Sequence, residues 1–108
     1  DYDNGRVRKI ETSTGLITTV TSRIPRPVSL AYRSGVLYVA DSIFDNVQVF
    51  DRDGRFLLTL GRRGTAPGEF WLPSGVFVSA SGELYVADTY NRRVQVFRIQ
   101  ESYVASGS

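Results

Sequence analysis

The sequence predicts an all-β chain built from repeated four-stranded antiparallel meanders, and three observations carry that reading. The run LYVADTYNRRVQVFRIQ from Leu84 has a counterpart in LYVADSIFDNVQVFDRD, with Leu37 standing 47 residues before it (84 − 37 = 47). The opening run DYDNGRVRK fits the same pattern, with Asp1 standing 40 residues before Asp41 (41 − 1 = 40). Self-similarity at this period marks blades or solenoid units. Third, no window carries a capped 3.6-residue stripe, so no helix is expected. Four-stranded meanders repeated at this period are the blades of a β-propeller. A two-sheet sandwich does not predict the return of VAD and VQVF at matching offsets.

The strands of each repeat are called a to d. Asp1 to Asn4 has turn composition, and Val7 to Ile10 alternates like a half-buried strand. Thr12-Ser13-Thr14-Gly15 is a hairpin turn, and the β-branched run Leu16 to Thr21 is the returning strand. Ser22 to Pro27 carries two prolines and marks a connection. Val28 to Tyr32 is strand a, and Val36 to Ala40 is strand b, apolar enough for burial on both faces. Asp41 to Asn46 is a loop, Val47 to Phe50 strand c and Phe56 to Leu60 strand d. After the irregular GRRGTAPGEFWLPSG the order restarts: Val76 to Ser79, Leu84 to Ala87, then Val94 to Ile99. Tyr103-Val104 falls in register with Phe56-Leu57 and is expected to form a last short strand. The units are therefore 1–22 (strands c and d), 23–60 (a full blade) and 61–108 (a blade with a weak or missing fourth strand).

Composition excludes several chemistries. At 108 residues with 42% apolar and 12% aromatic content, the chain is globular and not a disordered tail. Cysteine and histidine are absent, which removes disulfides, thiolate zinc sites, cysteine nucleophiles and every Ser-His-Asp arrangement within the chain. No apolar run approaches ~20 residues, so no helical membrane span is expected. Net charge is +2 and lysine occurs only at Lys9. A biased genome composition accounts for the arginines more simply than phosphate recognition does.

The run GRRGTAPGEFWLPSGVFVSASGELYVADTYNRRVQVF resembles the NHL repeat. It carries Gly61, Gly64, Gly68 and Phe70, then Pro73-Ser74-Gly75, the Gly-x-Leu-Tyr-Val-Ala-Asp strand, Asn91, Arg93 and Val-Gln-Val-Phe. The middle repeat lacks the glycine-rich opening and places Phe44, Asp45 and Asn46 where Asn91, Arg92 and Arg93 stand. The eponymous Asn-His-Leu is absent. The resemblance implies a six-bladed ring, of which this chain supplies about two and a half blades at ~40–45 residues each. An isolated arc would expose strand edges. The chain is therefore expected to be part of a longer propeller, with identical chains closing one ring as the alternative. Bacterial relatives of this kind are often exported, which implies an extracytoplasmic location.

Asp41 and Asp88 end strand b in both repeats, and this repetition points to a structural role in the b–c loop. Asn91 is expected to cap that loop and Arg93 to reach Asp88 or the neighbouring blade. The glycines at 61, 64 and 68 do not form a phosphate loop, because Gly-Lys-Ser/Thr is missing and a strand follows. The recurring aromatics Tyr38, Tyr85, Phe50, Phe97, Phe56 and Phe70 are expected in the inter-blade core. Gln48 and Gln95 are expected on an exposed or inter-blade face. Candidate binding residues are the non-recurring Phe44, Tyr90 and Trp71 with Arg62, Arg63 and Arg92, joined by Arg23 and Arg26, because the b–c and d–a connections share one end of a propeller. These residues suit a non-catalytic, protein-binding scaffold with no cofactor. The resemblance also implies two alternatives: a piece of a metal-dependent lactonase-like or lyase-like propeller enzyme, or an RNA-binding face. The latter is disfavoured because the loop acids Asp41, Asp45 and Asp88 break up a positive surface.

Overall fold

The computed structural model describes residues 7–11, 16–21 and 27–99, the first two segments as backbone only. The turn over 12–15, Arg23, Arg26 and the Tyr103-Val104 segment lie outside the described residues. Nine strands stand in three antiparallel sheets among those residues. β1 (Val7–Glu11) pairs with β2 (Leu16–Thr21). β3 (Pro27–Arg33), β4 (Val36–Asp41), β5 (Asn46–Asp51) and β6 (Phe56–Leu60) form a four-stranded meander in sequence order. β7 (Pro73–Val78), β8 (Glu83–Asp88) and β9 (Arg93–Arg98) repeat the first three strands of that meander.

Local chemistry explains each hairpin. Between β3 and β4, Ser34 and Gly35 both take positive φ (54° and 81°), the two-residue turn whose twist matches the strands it joins. Between β5 and β6 the Asp51 carboxylate accepts the Asp53 and Arg55 amides at 2.9 Å each, and Gly54 closes the loop at φ 85°. Between β7 and β8, Ser79 Oγ accepts the Glu83 amide at 3.1 Å and Gly82 closes at φ 86°. This turn is one residue longer than the first: Arg33 pairs with Val36, whereas Ser79 bonds Glu83 around three residues.

Strand a begins earlier than the sequence suggests. Pro27 and Pro73, expected in connections, open β3 and β7 opposite Asp41 and Asp88. A proline is accepted as the first residue of a strand, where no ladder donor is needed. In each case a register shift follows at once.

The core lies between the second and third sheets. Val36, Tyr38, Val47 and Val49 from one side meet Leu84 and Val86 from the other, with Phe70 of the β6–β7 connector fully buried among them. Leu37, Val39 and Phe50 point to the opposite face and form a second cluster. β4 thus sends alternate side chains to two cores, which is why its sequence is apolar throughout. β7 packs on β3 and β4. Ser29 Oγ accepts the Val76 amide at 3.1 Å and Arg33 Nη2 donates to the Ala80 carbonyl at 2.9 Å, so neighbouring a strands are stitched together.

The aromatics divide between environments instead of sharing one core. Phe70 and Tyr38 are buried between the sheets and Phe97 packs edge-on against Phe70, ring centroids 5.8 Å apart. Phe50 belongs to the other cluster, and Phe56 is exposed at its edge, 6.0 Å away. Tyr85 lies on the outer face of the third sheet beside exposed Phe77. Position in a repeat fixes which face a side chain takes, but the neighbour on that face decides its burial. Val47 is fully buried, whereas Val94 at the matching offset is 61% exposed.

Candidate functional site

The b–c loops (residues 42–45 and 89–92) and the β6–β7 connector gather at one end of the sheets, because a meander sends its odd and even turns to opposite ends. Asp41 closes β4 and bends the loop after it: its Oδ1 accepts the Ile43 amide at 2.7 Å and the Phe44 amide at 3.3 Å. Asp45 and Arg92 occupy matching loop positions, and both are left-handed, with φ 55°.

Asp88 is the anchor of the third sheet. Fully buried, it accepts the Trp71 amide on Oδ1 at 2.7 Å, and on Oδ2 it accepts Asn91 Nδ2 (2.9 Å), Arg93 Nε (2.7 Å) and Gln95 Nε2 (3.2 Å). Burial alone would push its carboxyl up, but the bonds from Asn91, the Trp71 amide, Arg93 and Gln95 outweigh it and hold the group below its ordinary range. The partners of Asp88 also grasp the connector. Arg93 donates to the carbonyls of Thr65, Ala66 and Glu69 at 2.8–3.0 Å, and Asn91 donates to Gly64 O at 2.9 Å. Gln95 donates to Glu69 O at 2.7 Å and accepts the Gly68 amide at 2.9 Å. Of the two faces expected for these glutamines, Gln95 takes the inter-blade one, half-buried against the connector, and Gln48 is buried with its Nε2 3.5 Å from Asp41 Oδ2.

The connector is a tight structure in its own right. Phe70 N donates to Arg62 O at 2.8 Å and Gly64 N to Phe70 O at 3.0 Å, folding it into a narrow loop. A Cβ at Gly61 would collide with the Phe70 ring, and one at Gly64 with the Glu69 carboxylate. The glycines thus permit close approach within the connector itself. Arg62 Nε bonds Glu69 Oε2 at 3.0 Å; that pairing and the Ala66 amide hold the Glu69 carboxyl below its usual value.

Asp45, from the preceding b–c loop, completes the clamp. Its Oδ1 accepts the Leu72 amide at 2.7 Å and its Oδ2 accepts Arg63 Nε at 2.6 Å. Arg63 also lies over the Trp71 ring, 5.7 Å from the centroid, and Trp71 stacks on Tyr90 at 4.5 Å. Phe44 is 55% and Tyr90 59% exposed, and Ile43 and Leu72 are exposed as well. The structure therefore brings Arg63, Trp71 and Tyr90 together, while Phe44 precedes Asp45 in one b–c loop and Arg92 follows Tyr90 by two residues in the other. Arg62 stands apart on Glu69. Ile43, Leu72 and Glu69 are members of this end that sequence reasoning did not single out, and Asp45, expected there only as a loop acid, is a bonding member of the clamp. The signal for Asp45 is an acid at the loop position that holds Arg92 in the next repeat.

Among the described residues no group of three or more His, Cys, Asp or Glu side chains is placed to hold a metal ion. No helix is long and apolar enough to cross a membrane among those residues.

Comparison with known proteins agrees with this architecture. A family model described as 6-bladed beta-propeller matches residues 15–106. The human E3 ubiquitin-protein ligase TRIM32 is 48% identical over 42 residues, which is 39% of this chain and 6% of that protein. NHL repeat-containing protein 3 of Mus musculus is 33% identical over 67 residues, 59% of this chain and 19% of that protein. The B-box type zinc finger protein ncl-1 of Caenorhabditis elegans is 51% identical over 37 residues, 34% of this chain and 4% of that protein. The chain thus spans only a small part of the length of these eukaryotic relatives. With clamped connectors between stacked meanders and most of its length matched, the chain belongs to the 6-bladed β-propeller family, in its NHL-like form.

Proposed function

We propose that this chain is a non-catalytic segment of a larger propeller, and that the end carrying the b–c loops and the β6–β7 connector binds a protein partner. The observation that carries the reading is the exposure of Phe44, Leu72 and Tyr90 at one end of the sheets, around a connector clamped by Asp45 and Asp88. Apolar groups gathered on a surface whose backbone is fixed by buried carboxylates are costly in water unless a partner covers them. Likeness to a ubiquitin ligase and to an NHL repeat-containing protein supports an interaction role, but the matches are too short to carry a whole protein's activity.

The rest of the ring is a second partner. Val94, Val96 and Tyr85 stand where Val47, Val49 and Tyr38 stand in the sheet before, and those three are buried against the third sheet. The outer face of β8 and β9 is built to carry another blade.

A photo-reactive benzoylphenylalanine placed at Tyr90 in the protein that contains this chain tests the reading. Irradiation in the native host is expected to trap a discrete protein adduct, and the same probe at Arg52, on the opposite end, is expected to trap none. Equal trapping at both positions would rule the loop end out as the specific surface.

A further inference from the structure

We propose that the stacked pair Trp71 and Tyr90 is a docking site for a proline-rich segment of the protein partner, held in the polyproline II conformation. The inference rests on the protein-binding reading above and names the chemistry of the partner.

The stack is held in place by its own contacts. The two rings lie with centroids 4.5 Å apart and planes 29° from parallel, and the Tyr90 amide donates to the Trp71 carbonyl at 3.1 Å. Arg63 lies over the indole at 5.7 Å, itself held by Asp45 at 2.6 Å, and the Trp71 amide donates to Asp88 at 2.7 Å. With Trp71 against one face of its ring, Tyr90 is still 59% exposed. That exposure does not depend on a following blade. Ile43 takes the matching place in the preceding b–c loop (90 − 47 = 43). It is 49% exposed although the next connector is already seated on Asp45, two residues further on.

The polar groups left over at this stack are donors. Among the described residues the buried side-chain polar atoms without a partner are Asn46 Oδ1 and Gln48 Oε1. The indole Nε1–H of Trp71 makes no hydrogen bond there either, so it reaches solvent at the edge of the stack. Arg63 commits Nε to Asp45 and makes no other hydrogen bond among those residues, so its Nη groups add donors beside the indole. The nearby acceptors are consumed. Trp71 O takes the Tyr90 amide, Thr89 O takes the Arg92 amide, and the Ser74 and Thr89 hydroxyls close on each other. Asp45 and Asp88 are fully buried on donors of their own. A matching ligand brings carbonyl acceptors, no backbone donors and a hydrocarbon surface for the outer face of Tyr90. Proline has no backbone N–H, and polyproline II leaves its carbonyls without internal hydrogen bonds. Such segments dock on aromatic surfaces because the helix is already formed before binding. A nucleic-acid backbone draws its affinity from cations free to displace counterions, and here Arg62, Arg63 and Arg93 are each paired with a carboxylate.

The test is titration of the protein that contains this chain with a synthetic proline decamer, followed on the Trp71 indole N–H resonance, which Trp71→Phe assigns by its loss. The resonance is expected to shift saturably, and a glycine-serine decamer is expected to leave it in place. Affinities of the variants are then measured with a fluorescein-labelled decamer by anisotropy. Trp71→Phe keeps a ring against Tyr90 but removes the donor, and is expected to weaken the decamer about fivefold, as loss of one neutral hydrogen bond does. Tyr90→Ala is expected to weaken it at least about tenfold, and Arg52→Ala on the opposite end to leave it unchanged. An indole signal unmoved by millimolar decamer in the parent, where no variant has to fold, would overturn this inference. A protein adduct at Tyr90 in the cross-linking experiment would then leave the protein-binding reading standing, and its absence would remove both. A decamer that binds but is indifferent to Trp71→Phe and Tyr90→Ala sits elsewhere and also overturns the inference. The same shift produced at lower concentration by maltoheptaose or by a uridine octamer would replace the proline segment with a sugar or with RNA.

Discussion

Asp45 in one b–c loop and Asp88 at the end of β8 in the next blade hold consecutive amides of one connector, Leu72 N and Trp71 N, each at 2.7 Å. Two blades are thereby fastened to adjacent peptide units, and Leu72 is held in a left-handed conformation (φ 54°) that a leucine otherwise avoids. The geometry of the candidate surface is set by this clamp rather than by the exposed residues themselves.

Removing the anchor leaves several buried donors stranded. Asp88→Ala strips the Trp71 amide, Asn91, Arg93 and Gln95 of their common acceptor and is expected to cost about 3–5 kcal/mol of stability. Asp45→Ala, which strands the Leu72 amide and frees Arg63, is expected to cost about 1–3 kcal/mol. Denaturant titration of the two variants against the parent checks the order.

The two neighbouring arginines separate in the same assay. Arg63→Ala is expected to destabilise, because Asp45 is buried and loses its charged partner. Arg62→Ala is expected to leave the midpoint unchanged, since its bridge to Glu69 is exposed and screened by water. Equal effects would contradict the clamp.

Acid should loosen both ends of the sheets. Asp88 has a carboxyl pKa below the ordinary 3.8, so its stabilising contribution is complete above that value and disappears as pH falls through the lower native one. Asp51 shifts the same way, held down first by the Arg55 amide, and acts at the opposite end. Melting curves between neutral pH and about pH 3 are expected to fall steeply in the parent and less steeply in Asp88→Asn, which has no charge to lose.

Gly61 and Gly68 form a matched pair, both at φ 83°. A Cβ at Gly68 meets nothing within 4 Å, whereas one at Gly61 meets the Phe70 ring and the Gly68 carbonyl. Gly68→Ala is expected to cost about 1–2 kcal/mol from backbone strain alone. Gly61→Ala is expected to cost more, by an amount that shrinks when Phe70→Ala is introduced with it. A double-mutant cycle measures that coupling.

Much of the fold is legible in the sequence because repetition and side-chain period act together. The doubled LYVAD and VQVF runs place β4, β5, β8 and β9, and the uniformly apolar VLYVA run announces a strand buried on both faces. The starts of β3 and β7 are not legible, since proline signals a break and gives no sign that it can lead a strand. The candidate site is legible only in outline. Trp71, Tyr90 and Phe44 stand out because they do not recur, but the role of Asp45 depends on a bond across 27 residues to Leu72 that no local pattern encodes.

The account is tested most directly by the affinity of a trapped partner for the parent protein and for the Phe44→Ala, Tyr90→Ala double variant, with Arg52→Ala, Asp53→Ala on the opposite end as control. A loss of at least about tenfold in the first variant, with an unchanged melting midpoint and no loss in the control, is the expected result. Undiminished binding by the folded loop-end variant would contradict the central claim.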